Sequence, residues 1–99
     1  MAKYFLTIKA VEDLSKIWDY TYEVWSESQA DKYYRMLIDS CKELSKYPDR
    51  GKNYDEIYSG LLGFKVGKHI IFYITLSGAE IEVLRILHGR MDLKNRFLD

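Results

Sequence analysis

Residues 60–92, GLLGFKVGKHIIFYITLSGAEIEVLRILHGRMD, constrain this chain more than any other stretch. Leu62, Phe64 and Val66 alternate with other residues, and a period of two places them on one face of a strand. Val66-Gly67-Lys68 reads as a turn. Residues 69–76 are then almost continuously apolar, the pattern of a central strand. Ser77-Gly78-Ala79 turns the chain again, and residues 81–87 return as the third strand of an antiparallel meander. Residues 88–99 leave the sheet, with MDLKNRF expected to add one helical turn. A meander of this kind has an apolar face, and the upstream half of the chain must cover it.

That half supplies one strand and two helices. Residues 4–8 are β-rich, with Tyr4, Leu6 and Ile8 on one face. Thr7 is placed to cap a helix whose apolar positions Val11, Leu14, Ile17, Trp18, Thr21 and Trp25 recur at spacings of three and four. Asp13, Lys16, Tyr20, Glu23 and Glu27 fall outside that stripe. Ser26 followed by Gln29 fits a capping box, so a second helix starts there. It carries Ala30, Tyr33, Tyr34, Leu37, Cys41 and Leu44 on one face and stops before Pro48. The short join makes the pair an antiparallel αα-hairpin. Residues 48–59, PDRGKNYDEIYS, are expected to be a loop with a helical turn at 54–58. The predicted architecture is α+β in the order β-α-α-β-β-β. It lays a helical hairpin across one face of a mainly antiparallel four-stranded sheet and ends in a short C-terminal tail. The chain of 99 residues is read as one domain, 1–99.

Charge and cysteine content narrow the function classes. The formal net charge is zero, which argues against affinity built on neutralising many phosphates, so no nucleic-acid specificity of its own is expected. Residues 1–31 hold three Lys against six acids, whereas 60–99 hold six Lys or Arg against four, an asymmetry able to steer partners. Cys41 is the single cysteine, which rules out an internal disulfide. With no Cys/His cluster at zinc-ligand spacing, a reducing cytoplasm suits the chain. No segment has the apolar character of a signal peptide or the length of a membrane span. A soluble, cytoplasmic protein without metal or cofactor is expected.

Taken together, LTIKAVEDLSKIWDYT, the helix start ESQADKYY, the loop SKYPDRGK and, above all, GKHIIFY followed about a dozen residues later by RILHGRMD resemble the ParE branch of the RelE/ParE toxin superfamily. The likeness covers nearly the whole chain. It implies an intracellular toxin made beside a ParD-like antitoxin, usually a ribbon-helix-helix protein whose flexible tail wraps the toxin in a hetero-oligomer. Members of this branch typically poison DNA gyrase or a related topoisomerase and block replication without chemistry of their own. RelE-like relatives instead cut mRNA on the ribosome. A non-toxic member that retains only antitoxin binding is a third alternative, fed by Leu62, Gly63 and Tyr58, where relatives often carry basic or polar residues.

Cleavage of RNA through its 2′-hydroxyl needs a base, cations aimed at the phosphorane charge and an acid for the leaving oxygen. Lys65, Lys68, His69, Arg85, His88 and Arg90 are the candidates, but strand alternation gives no reason for them to converge. The middle strand reads IIFYI where the resemblance would lead one to expect Arg or Lys in a ribonuclease, and the tail ends in Phe97, Leu98 and Asp99. No catalytic residue is assigned. His69 is read as a neutral strand-start residue bonded to a turn carbonyl. Arg85 alternates with Val83 and Leu87 on an apolar face, so its charge needs a mate, Asp13 or Asp92, in a structural ion pair.

Two surfaces remain for partners. His88, Arg90, Asp92, Lys94, Arg96 and Phe97 lie in or after the exit of the third strand, and they are the candidates for target contact. Trp18, Trp25, Tyr33, Tyr34 and Leu37 are assigned to the core by their helical spacing. Tyr20, Val24, Met36 and Tyr47 are apolar yet off the main stripes. Gathered on the outer side of the hairpin, they would form a patch for the antitoxin tail. Cys41 is read as an inert buried thiol.

Overall fold

The computed structural model describes residues 2–99. Strand β1 (Lys3–Leu6) leads into helices α1 (Ile8–Val24) and α2 (Glu27–Lys46). A 3₁₀ turn at Pro48–Arg50 is followed by β2 (Lys52–Asn53), β3 (Leu62–Val66), β4 (His69–Thr75), β5 (Glu80–His88) and helix α3 (Leu93–Leu98). Both long helices start where a side-chain oxygen replaces a missing backbone acceptor. Thr7 accepts from the Ala10 N–H and Ser26 from the Gln29 N–H, each at 3.1 Å.

The meander occupies the predicted stretches, and its first turn is Gly67-Lys68 with Gly67 at φ +58°, a conformation glycine adopts without a Cβ penalty. The sheet is larger than expected. It has five strands in the order β1-β5-β4-β3-β2, with β1 parallel to β5 and the other pairs antiparallel. The additional strand, β2, is cut from the stretch expected to be loop. In the same stretch the Ile57 and Tyr58 N–H groups both donate to Tyr54 O, which forms the expected turn.

Strand β5 is bulged. Tyr73 pairs with Val83 but Phe72 pairs with Arg85, which leaves Leu84 unopposed. The start of α1 satisfies this stretch of backbone: Thr7 N–H donates to Val83 O at 3.1 Å and Thr7 Oγ1 to Leu84 O at 2.8 Å. One extra residue reverses the faces beyond it. Val83 therefore packs with the helices while Leu87 packs on the opposite side, so the expected one-face series Val83, Arg85, Leu87 does not exist.

Both sheet faces are covered, not one. Leu14, Leu37, Cys41 and Leu44 from the helices pack against Val66, Ile71, Tyr73, Ile81, Val83 and Ile86. On the other face, Tyr54 and Ile57 from the loop and Leu93 and Phe97 from α3 cover Leu61, Ile70, Phe72 and Leu87. Ile71, Phe72 and Tyr73 are consecutive and wholly buried, as a central strand between two layers requires.

The buried face of α1 is also rotated from the expected one. Its buried residues are Ala10, Asp13 and Leu14, whereas Val11 and Trp25 are exposed, as is Tyr34 on α2. Leu37 is wholly buried, Tyr33 and Ile17 pack at the margin of the core, and Trp18 is half-buried. Burial pushes the Cys41 thiol up to about 12, which keeps it protonated and unreactive.

Candidate functional site

The strongest polar construction joins α1, β5 and α3. Strand β1 ends at Leu6 opposite Val83, so among the described residues no strand lies beside the edge of β5 beyond Val83. Asp13 fills that edge: its Oδ2 accepts the Ile86 N–H at 3.0 Å and Arg85 Nε at 2.8 Å, and its Oδ1 accepts Arg85 Nη2 at 3.1 Å. The pair is bidentate, and the side chains are only 10% and 13% exposed. Arg85 Nη1 turns the other way and donates to Arg96 O on α3 at 2.7 Å. The hydrogen bond to Asp13 is the main reason the guanidinium is held above its ordinary pKa. Of the two carboxylates considered from sequence, Asp13 is the partner. Asp92 instead accepts from Asn95 Nδ2 at 2.6 Å.

A second cluster forms where the β3–β4 turn meets the end of β5. His69 and His88 are paired across the strands, and their rings meet edge to face with centroids 5.3 Å apart. His69 Nδ1 lies 2.6 Å from the Tyr33 hydroxyl, which also accepts the Lys68 N–H at 3.1 Å. The same hydroxyl lies 3.4 Å from Val66 O, so its proton has two acceptors in reach, that carbonyl and His69 Nδ1. The expectation of a turn carbonyl as the partner of His69 is corrected; the partner is a tyrosine from α2. His88 Nδ1 accepts the Arg90 N–H at 3.1 Å. Burial first, then the neighbouring His88, pull His69 down to about 4 against a weaker opposing pull from Asp13. His69 is thus neutral near pH 7.

The six side chains considered for RNA chemistry are only partly convergent. His69 and His88 touch, contrary to the expectation from alternation, and Lys68 and Arg90 flank them in the adjoining turns. Lys65 pairs with Ile70 and so shares the opposite sheet face. Arg85 is occupied by Asp13 and Arg96 O. Among the described residues no group of three or more His, Cys, Asp or Glu is placed to hold a metal ion.

Of the tail residues named for target contact, Phe97 is folded onto the sheet. Phe97 packs on Phe72 and Tyr58 with ring centroids 5.8 Å away in each case, and Leu93 joins the same cluster. Arg90, Asp92, Lys94 and Arg96 expose their side chains, and Arg96 makes a loose contact of 3.9 Å with Asp99.

The residues named for antitoxin contact are all exposed but do not form one patch. At 100° per residue, Tyr20 and Val24 lie on the flank of α1 opposite Trp18 and Tyr22. Met36 sits on α2 over the Gly67 turn, and Tyr47, at the C-terminal end of α2, is covered by Arg50 at 4.6 Å. A more continuous apolar strip was missed: Ile8, Val11, Trp18, Tyr22 and Trp25, in a regular three-four spacing interrupted only by Ser15. Trp18 and Tyr22 stack at 5.3 Å, and Trp18 Nε1 donates to Asp31 on α2 at 3.0 Å. Ile8 is 80% and Trp25 72% exposed. The signal lies in the sequence as a second apolar phase on the same helix, of which helical spacing assigns Trp18 and Trp25 to the core.

The comparisons with known proteins agree with this architecture. A profile of the family described as "ParE toxin of type II toxin-antitoxin system, parDE" matches residues 4–93. The chain is 36% identical over 92 residues to Toxin ParE1 of Mycobacterium tuberculosis, covering 93% of this chain and 94% of the relative. It is 30% identical over 94 residues to Toxin ParE1 of Caulobacter vibrioides, covering 95% and 96%. Toxin ParE of Escherichia coli is 31% identical over 99 residues, covering 100% and 96%. In fold, the chain is similar to a chain of the chromosomal ParDE TA system from P. aeruginosa. The TM-score is 0.72 at 22% identity, covering 89% of this chain and 95% of that one.

Proposed function

The chain belongs to the ParE toxin family of type II toxin–antitoxin systems, and from that premise we propose that it blocks replication by binding DNA gyrase or a related topoisomerase. It does so without chemistry of its own and is neutralised by a ParD-like antitoxin of ribbon-helix-helix type. The observation that carries the non-enzymatic reading is the state of the cations. Arg85 is locked in a bidentate pair, His69 is sequestered by Tyr33 and neutral, and Lys65 faces away from both histidines. A phosphorane near Lys68 and Arg90 would find neither Arg85 nor a charged His69 to complete a preorganised set of positive donors.

In this reading the antitoxin wraps the α1–α2 hairpin, reaching Tyr20, Val24, Met36 and Tyr47 and, on the opposite flank of α1, the strip from Ile8 to Trp25. The target meets the exit of β5 and the tail, through His88, Arg90, Asp92, Lys94, Arg96 and Phe97. Purified protein is expected to inhibit gyrase supercoiling or trap cleaved DNA at stoichiometric ratios. Folded protein that does neither at high excess refutes the reading. Tyr20→Glu with Met36→Glu is expected to weaken antitoxin binding, and unchanged affinity removes the assigned surface.

The contact between His69 and His88 beside Tyr33 favours one alternative, a ribosome-dependent mRNA endonuclease, because it brings groups able to carry protons together. That reading requires cuts in register with codons in translated mRNA, lost on His88→Ala.

A further inference from the structure

We propose that Arg85 is a coupling residue through which α1 and the C-terminal helix α3 sense each other. One guanidinium serves both. Nε and Nη2 are taken by Asp13 on α1, and Nη1 is thereby aimed at Arg96 O on α3, 2.7 Å away. Asp13 is in turn registered on the sheet by the Ile86 N–H. The guanidinium is planar and rigid, so its donors cannot be reoriented one at a time. Drawing Asp13 away from the β5 edge rotates the fork and removes the donor from Arg96 O.

Helix α3 depends on that donor more than a long helix would. Its six residues are too few to be stable alone. Two things seat it: the Arg85 bond to a carbonyl in its middle, and the insertion of Leu93 and Phe97 against Phe72 and Leu87. Loss of either loosens the other, because both require the same helical turn. The coupling is reciprocal by thermodynamic necessity: lifting α3 leaves Arg85 less constrained and weakens its hold on Asp13. On the reading proposed above, α1 belongs to the antitoxin side and α3 to the target side. Neutralisation then includes a change in the seating of the tail, not only steric cover. This last consequence rests on that reading; the coupling itself does not.

The test is amide hydrogen exchange followed residue by residue by NMR on the full chain, with no partner present. Arg85→Lys keeps a charge for Asp13 but has one ammonium that cannot reach Asp13 and Arg96 O together. It is expected to speed exchange of the Arg96 and Asp99 amides about tenfold, the effect of losing one charge-assisted hydrogen bond, with the interior of α2 unchanged. Asp13→Asn touches nothing in α3 and is nevertheless expected to speed the same amides. Wild-type rates in α3 for Asp13→Asn, with faster exchange at Ile86, overturn the coupling. If Asp13→Asn does not fold, Phe97→Ala tests the reverse direction: the Ile86 amide, which donates to Asp13 and not to α3, is expected to exchange faster, and an unchanged rate overturns the proposal. Exchange rates that behave as stated while gyrase is unaffected by the wild type leave the coupling intact and refute only the proposed target.

Discussion

Tyr73 ties the loop after α2 to the centre of the sheet, and the strength of that tie can be worked out. The side chain is wholly buried, and its hydroxyl donates to Pro48 O at 2.6 Å and accepts the Gly51 N–H at 2.9 Å. Tyr73→Phe keeps the ring and removes both bonds. Each contributes about 1 kcal/mol net, so the expected loss is about 2 kcal/mol. For a chain of this size that corresponds to a fall in Tm of roughly 8–16 °C. Gly51 has φ −72°, which any residue adopts, but a Cβ there would collide with the Tyr73 hydroxyl and lie 2.9 Å from its ring carbon Cζ. Gly51→Ala is expected to cost ~1–3 kcal/mol through overpacking alone. Because both substitutions act through the same oxygen, the double variant should lose about 1 kcal/mol less than the sum. Urea unfolding followed by tryptophan fluorescence and far-UV circular dichroism measures all three. Additivity within about 0.5 kcal/mol, or a Tyr73→Phe loss below about 0.5 kcal/mol, refutes the argument.

The remaining predictions concern the histidine cluster, the hairpin turn and the buried thiol. His69 has a folded-state value near 4 against an ordinary 6.5, so the unfolded chain binds the extra proton between them. Stability is therefore expected to be complete above about 6.5 and to decline as pH falls toward about 4. His69→Gln should flatten that decline in denaturant midpoints measured across the window, and an unaltered slope would assign it to other groups. Gly67→Ala forces a side chain to φ +58° and places its Cβ 2.8 Å from the Tyr33 hydroxyl, so a loss of about 2 kcal/mol is expected in the same unfolding assay. Cys41 should resist iodoacetamide at pH 8 in the native chain and react once the chain is unfolded in urea, because burial holds the thiol protonated. Labelling of the native protein at the unfolded rate would contradict its burial.

The elements that were legible in the sequence are those specified by neighbours along the chain. Thr7 and Ser26 cap helices because an oxygen and an N–H three residues on are enough to make the bond, and Gly67 makes a turn because a positive φ costs it little. The continuous apolar run of β4 announced a central strand for the same local reason. A charge on β5 also required a mate, and the sequence narrowed the choice to two carboxylates.

What the tertiary structure alone decided depends on contacts between distant segments. The bulge at Leu84 exists because Thr7, seventy-seven residues earlier, takes its carbonyl. That single unopposed residue separates Val83 from Leu87, which a strict period of two had placed together. Asp13 over Asp92 followed from where β1 stops, since only the uncovered edge of β5 leaves an N–H for a carboxylate to accept. The apolar residues of α1 fall in two overlapping phases, and periodicity cannot say which one meets the sheet. Packing settled that Ala10, Asp13 and Leu14 go inward and that Val11 and Trp25 stay outside. Sequence thus determined which elements form, because hydrogen bonding and backbone preference act over a few residues. Only the folded chain determined which faces meet and which polar groups converge, because both depend on register between strands and on where one element ends beside another.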